Sequence, residues 1–251
     1  MRYNRRMNAH SGTEIFRVGG HKMLAGYHRP AGPGSRRYPT VLFLHGFPGS
    51  EKSLDVQREL MKRGIASVAP SFLGAWGSGG TYRFTTLVPQ ARAALRAAAR
   101  LDFVNPRRMA VYGFSMGGFA ALNLAALEPA LKAVVAVAPA GGPEIVGPGT
   151  RAFLSRLARA LNAPPPRRLL ADFRRAVTRF DPAAAVAEMR APLLLVHGDA
   201  DDTIPVAVSR RLASLAKGPV RLVIERGAEH DFLDRREKLA GLATRWLAER
   251  V

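Results

Sequence analysis

Residues 109–127, MAVYGFSMGGFAALNLAAL, constrain this chain more than any other stretch. The opening apolar run, with its β-branched and aromatic members, reads as a buried strand. The closing run, rich in small apolar residues, reads as a buried helix. Between them Gly113-Phe114-Ser115-Met116-Gly117 fits G-x-S-x-G, a serine on a tight strand-to-helix turn. The spacing has a steric cause. A serine held in a strained turn needs neighbours without Cβ so that strand and helix can close on each other. Such a turn exposes Oγ above the sheet at the positive end of the following helix.

The surrounding pattern supplies the sheet that this turn needs. Residues 14–18 and 22–28 read as a hairpin joined at Gly19-Gly20. Residues 40–44 are continuously apolar, as in a parallel strand buried on both faces. Further strands are expected at 65–69, 133–137, 192–196 and 220–224. Helices are expected at 53–63, 85–100, 150–161, 167–180, 206–216 and 233–250. Strands alternating with helices predict an α/β fold, a mostly parallel sheet covered on both faces.

At 251 residues the chain suits one large domain with a small insertion. The core is assigned to residues 1–138 and 190–251, and a helical insertion to 139–189. No apolar run approaches a membrane span, and the polar first ten residues lack the apolar stretch of a signal peptide. A cytoplasmic protein is therefore expected. The absence of cysteine excludes disulfides, thiolate zinc sites and a cysteine nucleophile. The six histidines are scattered without ligand spacing, so no metal and no cofactor are expected. A formal charge of +19 comes mainly from arginines on solvated helix faces. No nucleic-acid-binding motif accompanies it, so no nucleic acid is expected as partner.

A serine nucleophile needs a base, and the base needs a group to orient it. In this arrangement the chain order is Ser, then Asp or Glu, then His, each following a strand. After the strand at 192–196 come Asp199, Asp201 and Asp202, and spacing leaves all three open as the acid. After the strand at 220–224 comes His230, the only histidine there and the expected base. Both loops lie at strand C-terminal ends, where open α/β sheets bind ligands. His45 and His197 each precede a glycine at a strand end and read as turn-stabilising residues.

From about residue 40 onward the chain resembles the α/β-hydrolase superfamily. It is most similar to small feruloyl and cinnamoyl carboxylesterases, dienelactone-hydrolase-like proteins and prolyl-oligopeptidase-like domains. The motifs carrying the likeness are His45-Gly46-Phe47-Pro48-Gly49, Gly113 to Gly118, His197 to Pro205, and Gly227-Ala228-Glu229-His230. The resemblance implies Ser115 as nucleophile, Asp201 as acid within H-G-x-x-D-x-x-V-P, and His230 as base. It places the oxyanion hole on the backbone N–H groups of Phe47 and Met116.

Two departures from the family pattern bear on substrate. Residues 73–79, which include Trp76, replace a common R-G-x-G-x-S-like run, and Trp76 is expected to line the pocket. The insertion reads as two amphipathic helices over the site, with Phe153 and Leu157 on the apolar, substrate-facing side. Between 151 and 179 it carries eight arginines against one acid, Asp172. A basic lid of this kind favours esters that bear a carboxylate. The implied function is a cofactor-free serine carboxylesterase for small to medium esters. Peptidase, thioesterase or acyltransferase chemistry on the same triad, and a non-catalytic binding protein on the same fold, are the alternatives. Oligomeric state is not legible.

Overall fold

The computed structural model describes residues 10–33, 35–50 and 52–251, so the reading of residues 1–9 as a polar start lies outside it. The eight expected strands all form: β1 (His10–Val18), β2 (His21–Arg29), β3 (Tyr38–Leu44), β4 (Ala66–Pro70), β5 (Val104–Phe114), β6 (Val134–Val137), β7 (Leu193–Gly198) and β8 (Val220–Glu225). They make one sheet in the order β1-β2-β4-β3-β5-β6-β7-β8. β1, β2 and β4 pair antiparallel in sequence, and every pairing from β4 to β8 is parallel. The hairpin turns at Gly19-Gly20, both at positive φ, where glycine carries no Cβ penalty.

The apolar strands have no solvated face, because helices cover both. On one face Val41, Phe43, Ala110, Tyr112, Val135 and Leu194 pack beneath α1 (Leu54–Lys62) and α8 (Arg236–Ala248). On the other, Leu42, Leu44, Val111, Val134 and Leu193 pack beneath α2 (Leu87–Ala98), α3 (Met116–Leu127) and α7 (Val206–Leu215). This alternation follows from the two-residue period of a strand. Central α3 is buried along nearly its whole length, from Met116 to Ala125, which accounts for a sequence without an amphipathic stripe.

The connection from β3 runs outward to β4, and the next returns to β5 on the opposite side of β3. That reversal leaves a crevice at the C-terminal ends of β3 and β5, the usual ligand position in open α/β sheets.

Residues 139–189 form α4 (Thr150–Leu157), α5 (Pro166–Arg179) and α6 (Pro182–Glu188), the last not expected from periodicity. Its signal is local: Asp181 caps it by accepting from Ala183 N–H at 2.9 Å, and Pro182 opens the first turn. α6 packs on α3 and α7, as a crossover helix between β6 and β7 would, so the excursion away from the core is α4 and α5. α5 is anchored by buried Asp172, whose Oδ1 accepts from Thr85 Oγ1 at 2.7 Å, and by Phe173 against Phe84. Three expected helix ends tighten into 3-10 turns: Phe84–Thr86 before α2, Ala158–Ala160 after α4 and Leu233–Arg235 before α8.

The sheet and α3 approach closely enough to demand glycine. A methyl on Gly117 would sit 1.9 Å from Leu44 O, and one on Gly113 would sit 2.1 Å from Gly117 O. Backbone atoms cannot yield as a flexible side chain can. Gly117→Ala is therefore expected to cost at least about 2 kcal/mol in urea unfolding. Gly147→Ala, with no atom within 4 Å of the added methyl, should leave the midpoint unchanged.

Candidate active site

Ser115 occupies the turn between β5 and α3 with φ +53° and ψ −119°, a conformation L-residues seldom adopt. The surroundings enforce it. Ser115 N–H donates to Val137 O at 2.9 Å, and its carbonyl accepts from Phe119 N–H at 3.0 Å and Ala140 N–H at 3.1 Å. Neighbouring Gly113 and Gly117 have ordinary negative φ, so their need for glycine is the close approach alone. The side chain faces a cavity at the crevice.

Three loops converge on this serine. Ser115 Oγ lies 3.1 Å from His230 Nε2, and His230 Nδ1 lies 2.7 Å from Asp201 Oδ2. A carboxylate only accepts, so Nδ1 carries the proton it donates to Asp201, and Nε2 is left to accept from the serine hydroxyl. The neighbouring aspartates take other parts. Asp199 accepts from Gly227 N–H at 2.6 Å and ties the β7 loop to the β8 loop. Asp202 is exposed and accepts from Thr203 Oγ1 at 3.1 Å.

Asp201 is fully occupied by donors: Oδ1 accepts from Thr203 N–H at 2.9 Å and Ile204 N–H at 2.8 Å, while Oδ2 faces both His230 and His197. Burial pushes its carboxyl upward. Hydrogen bonds from His197 and His230, the charge on His230 and the Ile204 amide outweigh it and hold the group well below the ordinary carboxylate range.

The loop after β3 approaches the serine from the other side, and a methyl on Gly46 would sit 3.1 Å from Ser115 Cβ. Buried His45 sets the direction of the next peptide. Its Nε2 accepts from Phe72 N–H at 3.0 Å, which puts the proton on Nδ1, and Nδ1 donates to Gly46 O at 2.7 Å. In a trans peptide N–H opposes C=O, so Phe47 N–H points away from the imidazole. Neither Phe47 N–H nor Met116 N–H meets a protein acceptor among the described residues. Desolvation, aided by the nearby Lys52 charge and opposed by the Gly46 bond, lowers the His45 pKa to about 3.

The cavity beside Ser115 has a volume of about 750 Å³. Phe153 and Leu157 of α4 line it, together with Leu154, Phe173, Phe84, Phe114 and Ile145. Trp76 does not: its indole N–H donates to Pro48 O at 2.9 Å, and the ring is 45% exposed. It braces the back of the 46–49 loop instead. Of the eight insertion arginines only Arg156 reaches the cavity wall. Arg174, Arg175 and Arg179 line a separate shallow groove beside Thr85. Phe173 belongs to the apolar face expected of the insertion, whereas Phe84 has no signal of its own because it marks core equally well in its segment. Their rings meet at 4.9 Å only when α5 folds back, and Phe84 also packs on Phe47 at 5.0 Å.

Comparisons with known proteins agree with this architecture. The chain is 29% identical over 230 residues to the uncharacterized protein Rv2307c of Mycobacterium tuberculosis, covering 90% of this chain and 75% of the relative. Among solved structures, Est1E from Butyrivibrio proteoclasticus bound to ferulic acid superposes with TM-score 0.76 at 22% identity, covering 94% of this chain and 98% of that one. Dipeptidyl peptidase 4 of Porphyromonas gingivalis superposes with TM-score 0.77 at 20% identity, over 97% of this chain and 36% of the peptidase. At such identities the structural likeness speaks for the fold. A family model matches residues 41–242, from β3 into α8, and on that match the chain belongs to the alpha/beta hydrolase family.

Proposed function

We propose that this protein is a serine carboxylesterase cleaving small to medium carboxylic esters through an acyl-enzyme on Ser115. The observation that carries the reading is the unbroken run from Ser115 Oγ through His230 to the buried Asp201, opening on an apolar cavity. His230 Nε2 takes the hydroxyl proton as Oγ attacks the ester carbonyl carbon. The carbonyl oxygen becomes an oxyanion facing the free N–H groups of Phe47 and Met116. The imidazolium, stabilised by Asp201, then returns the proton to the leaving alkoxide, and the alcohol departs. Water attacks the acyl-enzyme by the same route, with His230 as base, releasing the acid and restoring the serine.

His45 acts here as the residue that aims the Phe47 N–H, and α4 with α5 acts as a lid that bounds the substrate and excludes water. A cavity of this volume and aromatic lining suits an aromatic or medium-length acyl or alcohol group. The shared fold with Est1E, which binds ferulic acid, supports the same size class. Charge selectivity then rests on Arg156, the one insertion arginine at the cavity, set against Asp202 and Asp231, which line the same cavity.

The first test is hydrolysis of p-nitrophenyl esters from acetate to palmitate. Ser115→Ala is expected to lower kcat by more than about a thousandfold, and Asp201→Asn by roughly a thousand- to ten-thousandfold with an intact fold. Turnover confined to amide substrates would replace the esterase reading with a peptidase. Arg156→Gln is expected to reduce kcat/KM roughly tenfold for carboxylate-bearing esters and little for neutral ones. An equal change for both would remove the anionic preference.

Acid sensitivity supplies a further test, because His45 is neutral in the folded protein and charged when unfolded in acid. The unfolded state therefore binds more protons between about pH 6.5, the ordinary histidine value, and about pH 3. Stability contributed by His45 is complete above that window and is lost as pH falls through it. His45→Gln is expected to flatten the pH dependence of the thermal midpoint over this range. It should also lower kcat by roughly tenfold or more as the Phe47 peptide loses its anchor. An unchanged kcat would remove His45 from the positioning of that peptide.

A further inference from the structure

The catalytic reading leaves His197 idle, yet His197 touches the acid directly. It is the penultimate residue of β7, it has no exposed surface, and its two ring nitrogens are both engaged. Nε2 lies 2.9 Å from Ile204 O and 3.2 Å from Asp201 Oδ2. Nδ1 lies 2.7 Å from Ser209 Oγ, which is equally buried in α7. A carbonyl and a carboxylate both require a donor, so the proton sits on Nε2, and Nδ1 can accept from the Ser209 hydroxyl. The acceptors on the acid loop thus set the tautomer, and the Ser209 hydroxyl of α7, which can donate to the remaining nitrogen, holds the ring from the other side.

We infer that His197 is a positioning residue that acts on catalysis through Asp201, its ring held in place by Ser209. The inference rests on the triad reading of Ser115, His230 and Asp201. One N–H is shared between the Ile204 carbonyl and the carboxylate oxygen that also receives His230. It thereby joins both ends of the turn bearing the acid. Ile204 donates to Asp201 Oδ1 through its N–H and accepts from His197 through its C=O, so the turn is closed around the carboxylate. Oδ2 is consequently held between the two imidazoles, and His230 Nε2 lies 3.1 Å from Ser115 Oγ. Without the His197 donor, Oδ2 keeps a single partner and the carboxyl can rotate away. Outer partners that orient metal-ligating side chains change affinity or activity by about ten- to a hundredfold when removed, and a loss of that order is expected here.

This role is separable from a merely structural one. A histidine that only props the turn multiplies its effect with any other substitution. One that acts through Asp201 has nothing left to act on once the carboxylate is gone. The experiment measures the rate of Ser115 labelling by a fluorophosphonate probe, which needs no knowledge of the natural substrate. It uses the wild type, His197→Phe, His197→Gln, Ser209→Ala, Asp201→Asn and the double variant His197→Phe/Asp201→Asn, with thermal midpoints recorded for each.

His197→Phe is expected to slow labelling roughly ten- to a hundredfold, and His197→Gln, which keeps an N–H near the Nε2 position, to recover most of it. Ser209→Ala, which removes a single oxygen, should fold normally and slow labelling several-fold, and it carries the test if His197→Phe is too unstable to assay. The double variant should label no more slowly than Asp201→Asn alone. Multiplicative losses in the double variant, or full labelling rates in both His197→Phe and Ser209→Ala, would overturn the role of His197 while leaving the triad intact. A wild type that the probe does not label, or that labels equally as Asp201→Asn, would instead overturn the triad reading and this inference with it.

Discussion

The structure depends on how closely the head of α3 approaches the ends of β3 and β5. Gly117 lies under the Leu44 carbonyl and Gly113 under the Gly117 carbonyl, at separations that no Cβ could tolerate. That contact forces the intervening serine into a conformation costing of order 1–3 kcal/mol, repaid by the bonds that Ser115 makes to Val137, Phe119 and Ala140. It also brings the Met116 amide and the Phe47 loop to the same point in space. The strain is thus a consequence of the packing and the means by which Oγ is presented.

A second constraint lies at the ends of β7 and β8. A carboxylate without solvent exposure survives as an anion only with nearly all its lone pairs engaged, and Asp201 meets two amides and two imidazoles. The same donors that keep it charged also define where it points. Electrostatic tuning and positional order are therefore one arrangement, and α7 contributes to it through Ser209, which meets His197. His45 plays the corresponding part at the β3 end, where desolvation keeps it neutral and its one proton directs a peptide plane.

Between these two fixed points the helical insertion supplies the wall of the cavity. Its attachment is a chain of aromatic rings, Phe173 on Phe84 and Phe84 on Phe47, with the Asp172–Thr85 hydrogen bond beside it. The rim of the cavity beside Ser115 and the Phe47 loop consequently share one packing cluster. A shift of α5 would be felt at Phe47 without any contact to substrate.

Much of this was legible in the chain itself. The eight strands, their alternation with helices and the loops bearing Ser115, Asp201 and His230 follow from local signals: continuous apolar runs, a glycine-bracketed serine and strand-end motifs. Those signals are short-range and survive reading one segment at a time. Three features were not legible for the same reason. Helix α6 is seven residues, too short for periodicity, and only its Asp181-Pro182 start marks it. The arginine count of the insertion implied a basic lid, but which arginine meets the cavity depends on how α4 rotates against the core, and one of eight does. Trp76 was placed at the pocket by its position in the run that departs from the family pattern, whereas its indole bonds to Pro48, twenty-eight residues away. The sequence by itself determined which residue types stand at each strand end. Tertiary structure alone decided which of them touch, because contacts such as His197 with Asp201 and Ser209, or Phe84 with Phe173, exist only after long loops close and are specified by geometry that no local pattern encodes.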